Sequence, residues 1–453
     1  VPFFTLWYDY CFLKIVGIII LNPFKEGVMI KTRKFTLAIV VLFLLTLFTY
    51  PSAPLFAEKA TNGSLVIVGG GLDPNNAAIY NRIIQLAGGV EKAKIAILPT
   101  ANSNPSYSGN AYKNDFINYG VPKENITIIP IAVKDDKDTE DVDESAWKEN
   151  ALKNDVAANI RQHNIVFFTG GSQLRITDAL IQDGKETPAL KAIRSIYAKG
   201  GVISGSSAGA AIMSDPMIGA GTSLGALSQG VTFKDNYFDP EDNRVFLTQG
   251  LGFFSQGIID QHFVKRGRLG RLIRACVHQK LDLGIGIDEN TAAIITGDTM
   301  QVLGENGVIV VDLANAKVTN TDNFSMKGIR VSYLETGDGF NMEDKTFSIN
   351  PAKDLSLIGD EYYEGNTLNT NVFGPDAIMD LMTTELVDNT ATESIGITFN
   401  LDSKNKGQGL KLIFSETDET EGYWGKVDGI NSYAAINVNL DFIPITITIE
   451  EKK

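Results

Sequence analysis

Gly205-Ser206-Ser207-Ala208-Gly209 follows the apolar stretch Gly201–Ser204 directly and leads into the small-residue run Ala210–Met213. The pentapeptide is G-x-S-x-G in the setting of strand, tight turn and helix, which is that of a nucleophile elbow. An elbow nucleophile sits on a strained turn, so its neighbours must be small for the hydroxyl to stand clear. The helix amino terminus and the Ala208 N–H would then stabilise negative charge on a tetrahedral intermediate. The plainer reading of the same residues is a Gly/Ser-rich turn that binds phosphate or nothing.

Upstream, Ser64–Gly71, Lys94–Thr100, Ile126–Ala132, Asn164–Gly171 and Gly201–Ser207 are near-continuous apolar runs, most of them ending in Gly, Thr or Ser. Such runs suit parallel strands covered on both faces. Helical patterns at Asn75–Leu86, Trp147–Gln162 and Pro188–Lys199 alternate with them, predicting an α/β fold with a doubly wound, mostly parallel sheet. In such sheets sites gather at the carboxyl ends of the strands, which puts Gly69–Gly71, Thr100–Asn102, Gly170–Gln173 and Ser204–Ala210 on one rim. Downstream, Ile218–Gly250 reads as a surface insertion. Gly252–Phe263, Leu283–Asn290, Ala292–Thr296 and Gly307–Leu313 read as further strands, the later ones antiparallel. Beyond Asn350 the chain turns Thr-, Asn- and Asp-rich with period-two alternation, predicting a small β-rich appended domain over 351–453 after a main domain over 58–350.

The 453 residues carry 40 basic and 54 acidic side chains, a net charge of −14, without the basic footprint of a nucleic-acid binder. Two cysteines, Cys11 and Cys276, exclude a disulfide framework and a cysteine-rich metal site. Cys276 lies on an apolar helix face and reads as core. From Met29 the chain has a basic start, an apolar run from Phe35 to Tyr50 and a small-residue exit, so 29–57 reads as a secretory signal peptide cleaved after Ala57, with Ala53 as a rival. A membrane anchor is the alternative. Residues 1–28 then read as an over-extended start, and the mature protein is expected to be extracellular or periplasmic, with no stable membrane association.

A serine nucleophile needs a base, and the sequence offers only His163, His262 and His278. His163 and His278 sit near helix ends, where solvated histidines are common. His262, in I-I-D-Q-H-F at a strand end, is selected by position. The acid that should hold its tautomer is Asp288 or Glu289, in G-I-G-I-D-E-N at another strand end. The order Ser…His…acid differs from the Ser…acid…His of α/β-hydrolases, which disfavours an ordinary lipase or esterase.

F-F-T-G-G-S-Q (167–173), G-G-V-I-S-G-S-S-A-G-A (200–210), D-Q-H-F (260–263) and G-I-G-I-D-E (284–289) together resemble the cyanophycinases and their dipeptidase relatives, in the family's order, over roughly Ser64 to Phe347. The resemblance implies an α/β/α sandwich of class I glutamine amidotransferase-like type with serine in place of cysteine. It places the nucleophile on Ser207, the base on His262 and the acid on Glu289. It also implies an oxyanion hole from the Gly170-Gly171 turn (the Gly171 amide) and the Ala208 amide. Substrate contacts would fall on Gln173, Asp260, Gln261, Arg266, Arg268 and Arg271. Ser172 stands where the family turn commonly carries an acid.

The implied substrate, cyanophycin, is a poly-aspartate backbone with arginine on each β-carboxyl. K-R-G-R-L-G-R (265–271) would supply cations for a carboxylate-bearing chain end, and Asp260 and Gln173 acceptors for a guanidinium. Taken alone, the arginine cluster is a solvated helix start. The implied function is a secreted serine exopeptidase that releases β-aspartyl-arginine dipeptides through an acyl-enzyme, a chemistry that calls for no cofactor and no metal. A peptidase for aspartyl or other acidic dipeptides, using the same triad, is the alternative. A non-catalytic binding protein on the same fold is the second. A homodimer is implied by the resemblance only.

Overall fold

The apolar runs that open the sequence form one continuous parallel array. In the computed structural model, which describes residues 62–233, 242–320 and 324–450, the strands Ser64–Val68, Val202–Ser206, Ile165–Phe168, Ile95–Leu98 and Ile126–Ile128 lie side by side in that order, all parallel. The side chains of the first four are buried on both faces, which is why they read as unbroken apolar runs rather than alternating ones. Thr291–Thr296 adds antiparallel to Ser64–Val68, and Thr299–Gly304, Gly339–Asn341 and Phe347–Ser348 continue an antiparallel arm. The helices Ala77–Leu86, Pro105–Asn118, Asn154–Ile160 and Pro188–Ala198 connect the parallel strands. This is the expected α/β architecture.

A second sheet holds the rest. Among the described residues it runs Ile258–Gln261, Leu283–Ile287, Val308–Asp312, Ser325–Leu334, Ile430–Thr448, Lys406–Ser415, Glu393–Leu401. The segment after 350 is therefore not set apart from the main domain. Its longest strand, Ile430–Thr448, pairs along Ser325–Leu334, and Ala434 and Ile436 enter the same core as Leu65, Ile203 and Ile259. Residues Thr61–Lys453 form a single unit. Composition drew a boundary there because the alternating strands are solvated on one face, a property of the sheet and not of a domain.

The Ile218–Gly250 stretch is likewise built in. It carries the strands Met217–Ala220 and Val245–Thr248 of a small three-stranded sheet and the helix Ser223–Gln229. That helix packs on Leu269–Gln279, with the Ser223 hydroxyl donating to the Gly267 carbonyl at 2.5 Å. Cys276 is a buried free thiol, as the apolar helix face suggested. The expected signal peptide over 29–57, the start over 1–28 and Cys11 lie outside the described residues.

Candidate active site

The central strand Val202–Ser206 ends at Ser207, whose φ of 56° and ψ of −105° put a non-glycine residue in a sparsely populated region. The turn is fixed by its backbone: the Ser207 N–H donates to the Val68 carbonyl at 3.0 Å, and the Ser207 carbonyl accepts from Ala210 and Ala211 as the short helix Ala208–Ala211 begins. A side chain at Gly205 would meet the Gly209 carbonyl oxygen at 2.6 Å, so the pentapeptide's first glycine is a packing requirement. The elbow expected from the sequence is present.

His262 follows the strand Ile258–Gln261, also at positive φ (46°), with its N–H bonded to the Gly69 carbonyl at 2.7 Å. Its Nε2 lies 2.8 Å from the Ser207 Oγ and its Nδ1 2.5 Å from Glu289 Oε1. An ionised carboxylate only accepts, so Nδ1 carries the proton and Nε2 presents its lone pair to the serine hydroxyl. Burial holds the imidazole below its ordinary pKa; the Glu289 hydrogen bond opposes that, and Arg266 and Arg268 add to it. The ring is thus neutral at neutral pH, the state a general base needs.

The choice between Asp288 and Glu289 falls to Glu289. Asp288 is buried and accepts the Lys265 N–H at 3.2 Å, and burial pushes its carboxyl up to about 6. Glu289 is held from behind: its carbonyl accepts from Thr291 Oγ1 and Asn306 Nδ2. His163 bonds its Nδ1 to the carbonyls of its own helix end, and His278 tilts against Phe233, the ordinary positions expected of both.

The expected substrate contacts divide. Gly170 and Gly171 flank the elbow, with the position of a Gly170 Cβ only 3.4 Å from the Ser207 Cβ. Gln173 is buried and spends its amide N–H groups on the carbonyls of Ile218 and Gly219. Asp260 and Arg271, expected to meet substrate charges, instead meet each other in a buried fork, Nε to Oδ2 at 2.7 Å and Nη2 to Oδ1 at 2.5 Å. Of the three arginines only Arg271 lies within the helix Leu269–Gln279, with Arg268 as its N-cap and Arg266 before it. Arg268 donates to the Gln261 carbonyl at 2.6 Å and stays 3.9 Å from Asp260. Burial, with Arg271 close by, pulls it down to about 9. Asp260 and Glu289 oppose that shift. Arg266 is half-exposed, its Nε 3.8 Å from Glu289. Gln261 is buried with its Oε1 lacking a partner.

The sequence reading placed Gly70 on the rim but gave neither it nor Asn290 a role. Gly70 (φ 123°) lies flat against the imidazole, where a Cβ would fall 2.2 Å from His262 Cε1. Asn290, at φ 51°, donates its N–H to the Gly70 carbonyl at 2.7 Å while its Oδ1 accepts from Asp73 N–H and Asn76 Nδ2. The G-G-G at 69–71 was a visible signal; the pairing of Asn76 with Asn290 across 214 positions was not.

A sequence model of peptidase family S51 matches residues 65–303, more than half of the chain and the whole of this site. The chain belongs to peptidase family S51. It is a serine-type peptidase. Among its relatives is a protein named cyanophycinase from Trichormus variabilis, 32% identical over 297 residues, covering 64% of this chain and 88% of the relative. Another cyanophycinase, from Synechococcus elongatus, is 31% identical over 289 residues, covering 62% and 79%. The crystal structure of a peptidase from an acI-B1 Actinobacterium aligns with this S51 peptidase at a TM-score of 0.42 and 21% identity, over 63% of this chain and 100% of the other.

Proposed function

We propose that this S51 peptidase is an exopeptidase of cyanophycin that releases β-aspartyl-arginine dipeptides. The supporting observation is the unbroken line from Glu289 through His262 to the Ser207 hydroxyl, at 2.5 and 2.8 Å. Ser207 Oγ attacks the α-peptide carbonyl as His262 Nε2 takes its proton, and Glu289 stabilises the imidazolium. The amides of Gly171 and Ala208 receive the oxyanion. His262 then gives the proton to the departing amine, breaking the C–N bond and leaving an acyl-enzyme. The departing amine is the terminal dipeptide; water, deprotonated by the same imidazole, then attacks the ester and releases the shortened chain. Arg268, which donates to the Gln261 carbonyl and keeps only a long 3.9 Å contact to Asp260, answers the carboxylate of the chain end.

One observation favours a second reading, a peptidase for short aspartyl or acidic peptides. Asp260 is already forked by Arg271, which removes an acceptor expected for the arginyl side chain, whereas Arg266 and Arg268 remain suited to acids. Export directed by residues 29–57 is part of the proposal: a scavenger of the polymer works outside the cell. N-terminal sequencing of the protein from culture medium and periplasm tests it.

The two substrate readings part on products. Mature protein and its Ser207→Ala variant are incubated with purified cyanophycin and with aspartyl dipeptides, and products are read by mass spectrometry. Release of β-aspartyl-arginine by the active protein alone is expected. Cleavage of aspartyl dipeptides without attack on the polymer would transfer the assignment to the second reading.

A further inference from the structure

The net charge is not evenly spread. Residues 351–453 hold 18 acidic and 7 basic side chains, with no arginine or histidine, while everything before them is close to neutral. This region lies outside the family-matched residues 65–303, so the reaction itself does not account for its charge.

On its surface, Ile358-Gly359-Asp360-Glu361-Tyr362-Tyr363-Glu364 presents the most exposed aromatic side chain among the described residues, Tyr362 at 80%, with Tyr363 at 41% packed edge-on against it at 5.0 Å. Ile358 is exposed beside them. The loop is not loosely draped. The Tyr362 N–H donates to Asp388 Oδ1 at 2.9 Å, the Tyr363 N–H to the Asp388 carbonyl and the Thr390 N–H to the Tyr363 carbonyl, both at 3.0 Å. Asp388 is itself buried and accepts the Tyr433 hydroxyl at 2.9 Å. Two tyrosines are thus held out to solvent on a braced backbone, where their burial would ordinarily be favourable.

The carboxylates around them sharpen the chemistry. Asp360 and Glu364 are exposed, and Glu416 Oε1 is buried without a hydrogen-bond partner. An aromatic face beside several carboxylates suits a planar guanidinium above other cations, because it stacks on the ring and forks to the acids at once.

We propose that the 358–364 loop is a docking surface for a guanidinium-rich polymer chain, distinct from the Ser207 site. The identity of that polymer as cyanophycin rests on the proposed function; the preference for guanidinium does not. Elsewhere the residues after 350 do reach the catalytic loop: Asp376 takes Lys265 Nζ at 2.6 and 2.9 Å, three residues from His262. For a polymer long enough to reach Ser207 from here, effective concentration rises without a new contact at the active site.

The test uses the full chain carrying Ser207→Ala, titrated with soluble poly-L-arginine and poly-L-lysine of equal length at fixed salt. Poly-L-arginine is expected to bind tighter. Tyr362→Ser, which changes no charge, is expected to weaken it about three- to fivefold, and Glu364→Gln to weaken it similarly. In the active protein, Tyr362→Ser is expected to raise KM on polymer while leaving kcat/KM on a short peptide substrate unchanged. Equal affinity for the two polycations, or no effect of Tyr362→Ser, would overturn the proposal as mere attraction to net charge. Because binding is read in an inactive protein, failure to cleave cyanophycin would sink the functional reading alone.

Discussion

His262 carries opposing influences that can be separated one side chain at a time. Burial and the two arginines lower its pKa, and Glu289 raises it. Since the neutral imidazole is the working form, activity is lost as pH falls through that value, and the acid limb of kcat/KM lies below the ordinary histidine range. Glu289→Gln removes a raising influence, so the limb moves to lower pH while the plateau drops by about 10³–10⁴-fold as the tautomer is no longer fixed. Arg266→Gln removes a lowering influence, so the limb moves to higher pH. Arg266 is half-exposed, and at 1 M salt the latter shift should largely disappear, because the screening length is then only about 3 Å. The pH profiles of the three proteins at two salt concentrations check this. Limbs moving in the same direction would contradict it.

At the scale of elements, the site is a meeting of three strand ends: Val202–Ser206 brings Ser207, Ile258–Gln261 brings His262 and Leu283–Ile287 brings Glu289. The spacer between them is the glycine turn after Ser64–Val68. Gly70→Ala would drive a methyl into the imidazole, and displacement of the ring by about 1 Å is expected to cost about 10²-fold in kcat/KM. Unchanged circular dichroism with that loss would place the fault in the site; unchanged activity would show that the ring has room. The parallel strands were legible because burial on both faces writes itself as unbroken apolar runs. The helix Pro105–Asn118 was not, since S-Y-S-G-N-A-Y-K-N-D has little amphipathic contrast and buries Ser108 and Gly109 where a leucine would have announced it. The triad was legible through its motifs. The mutual pairing of Asp260 and Arg271 was not, because sequence spacing supplies candidates for a charge but not the order in which they satisfy one another. Nor could alternation in 430–448 reveal that its partner strand lies a hundred residues back.

At the scale of the whole molecule, the two sheets are tied by a fully buried ion pair. Lys353 Nζ meets Asp338 Oδ2 at 2.5 Å and the Tyr433 carbonyl at 2.7 Å, binding the segment after 350 to the antiparallel arm. Lys353→Ala leaves a buried carboxylate uncompensated and is expected to cost about 3–5 kcal/mol, measured by urea denaturation; Lys353→Met with Asp338→Asn should recover most of it. A loss below about 1 kcal/mol would mean that water reaches the carboxylate. The arrangement of the second sheet has a temporal side as well. The strand that presents His262 belongs to a sheet whose long central ladder closes only with Ile430–Thr448. Synthesis delivers Ser207 some 220 residues before Ile430, a lag of roughly 10–45 s at about 5–20 residues per second. During that interval the nucleophile exists without a settled base. The enzyme is therefore born unarmed, and competence waits for a strand made more than two hundred residues after its nucleophile.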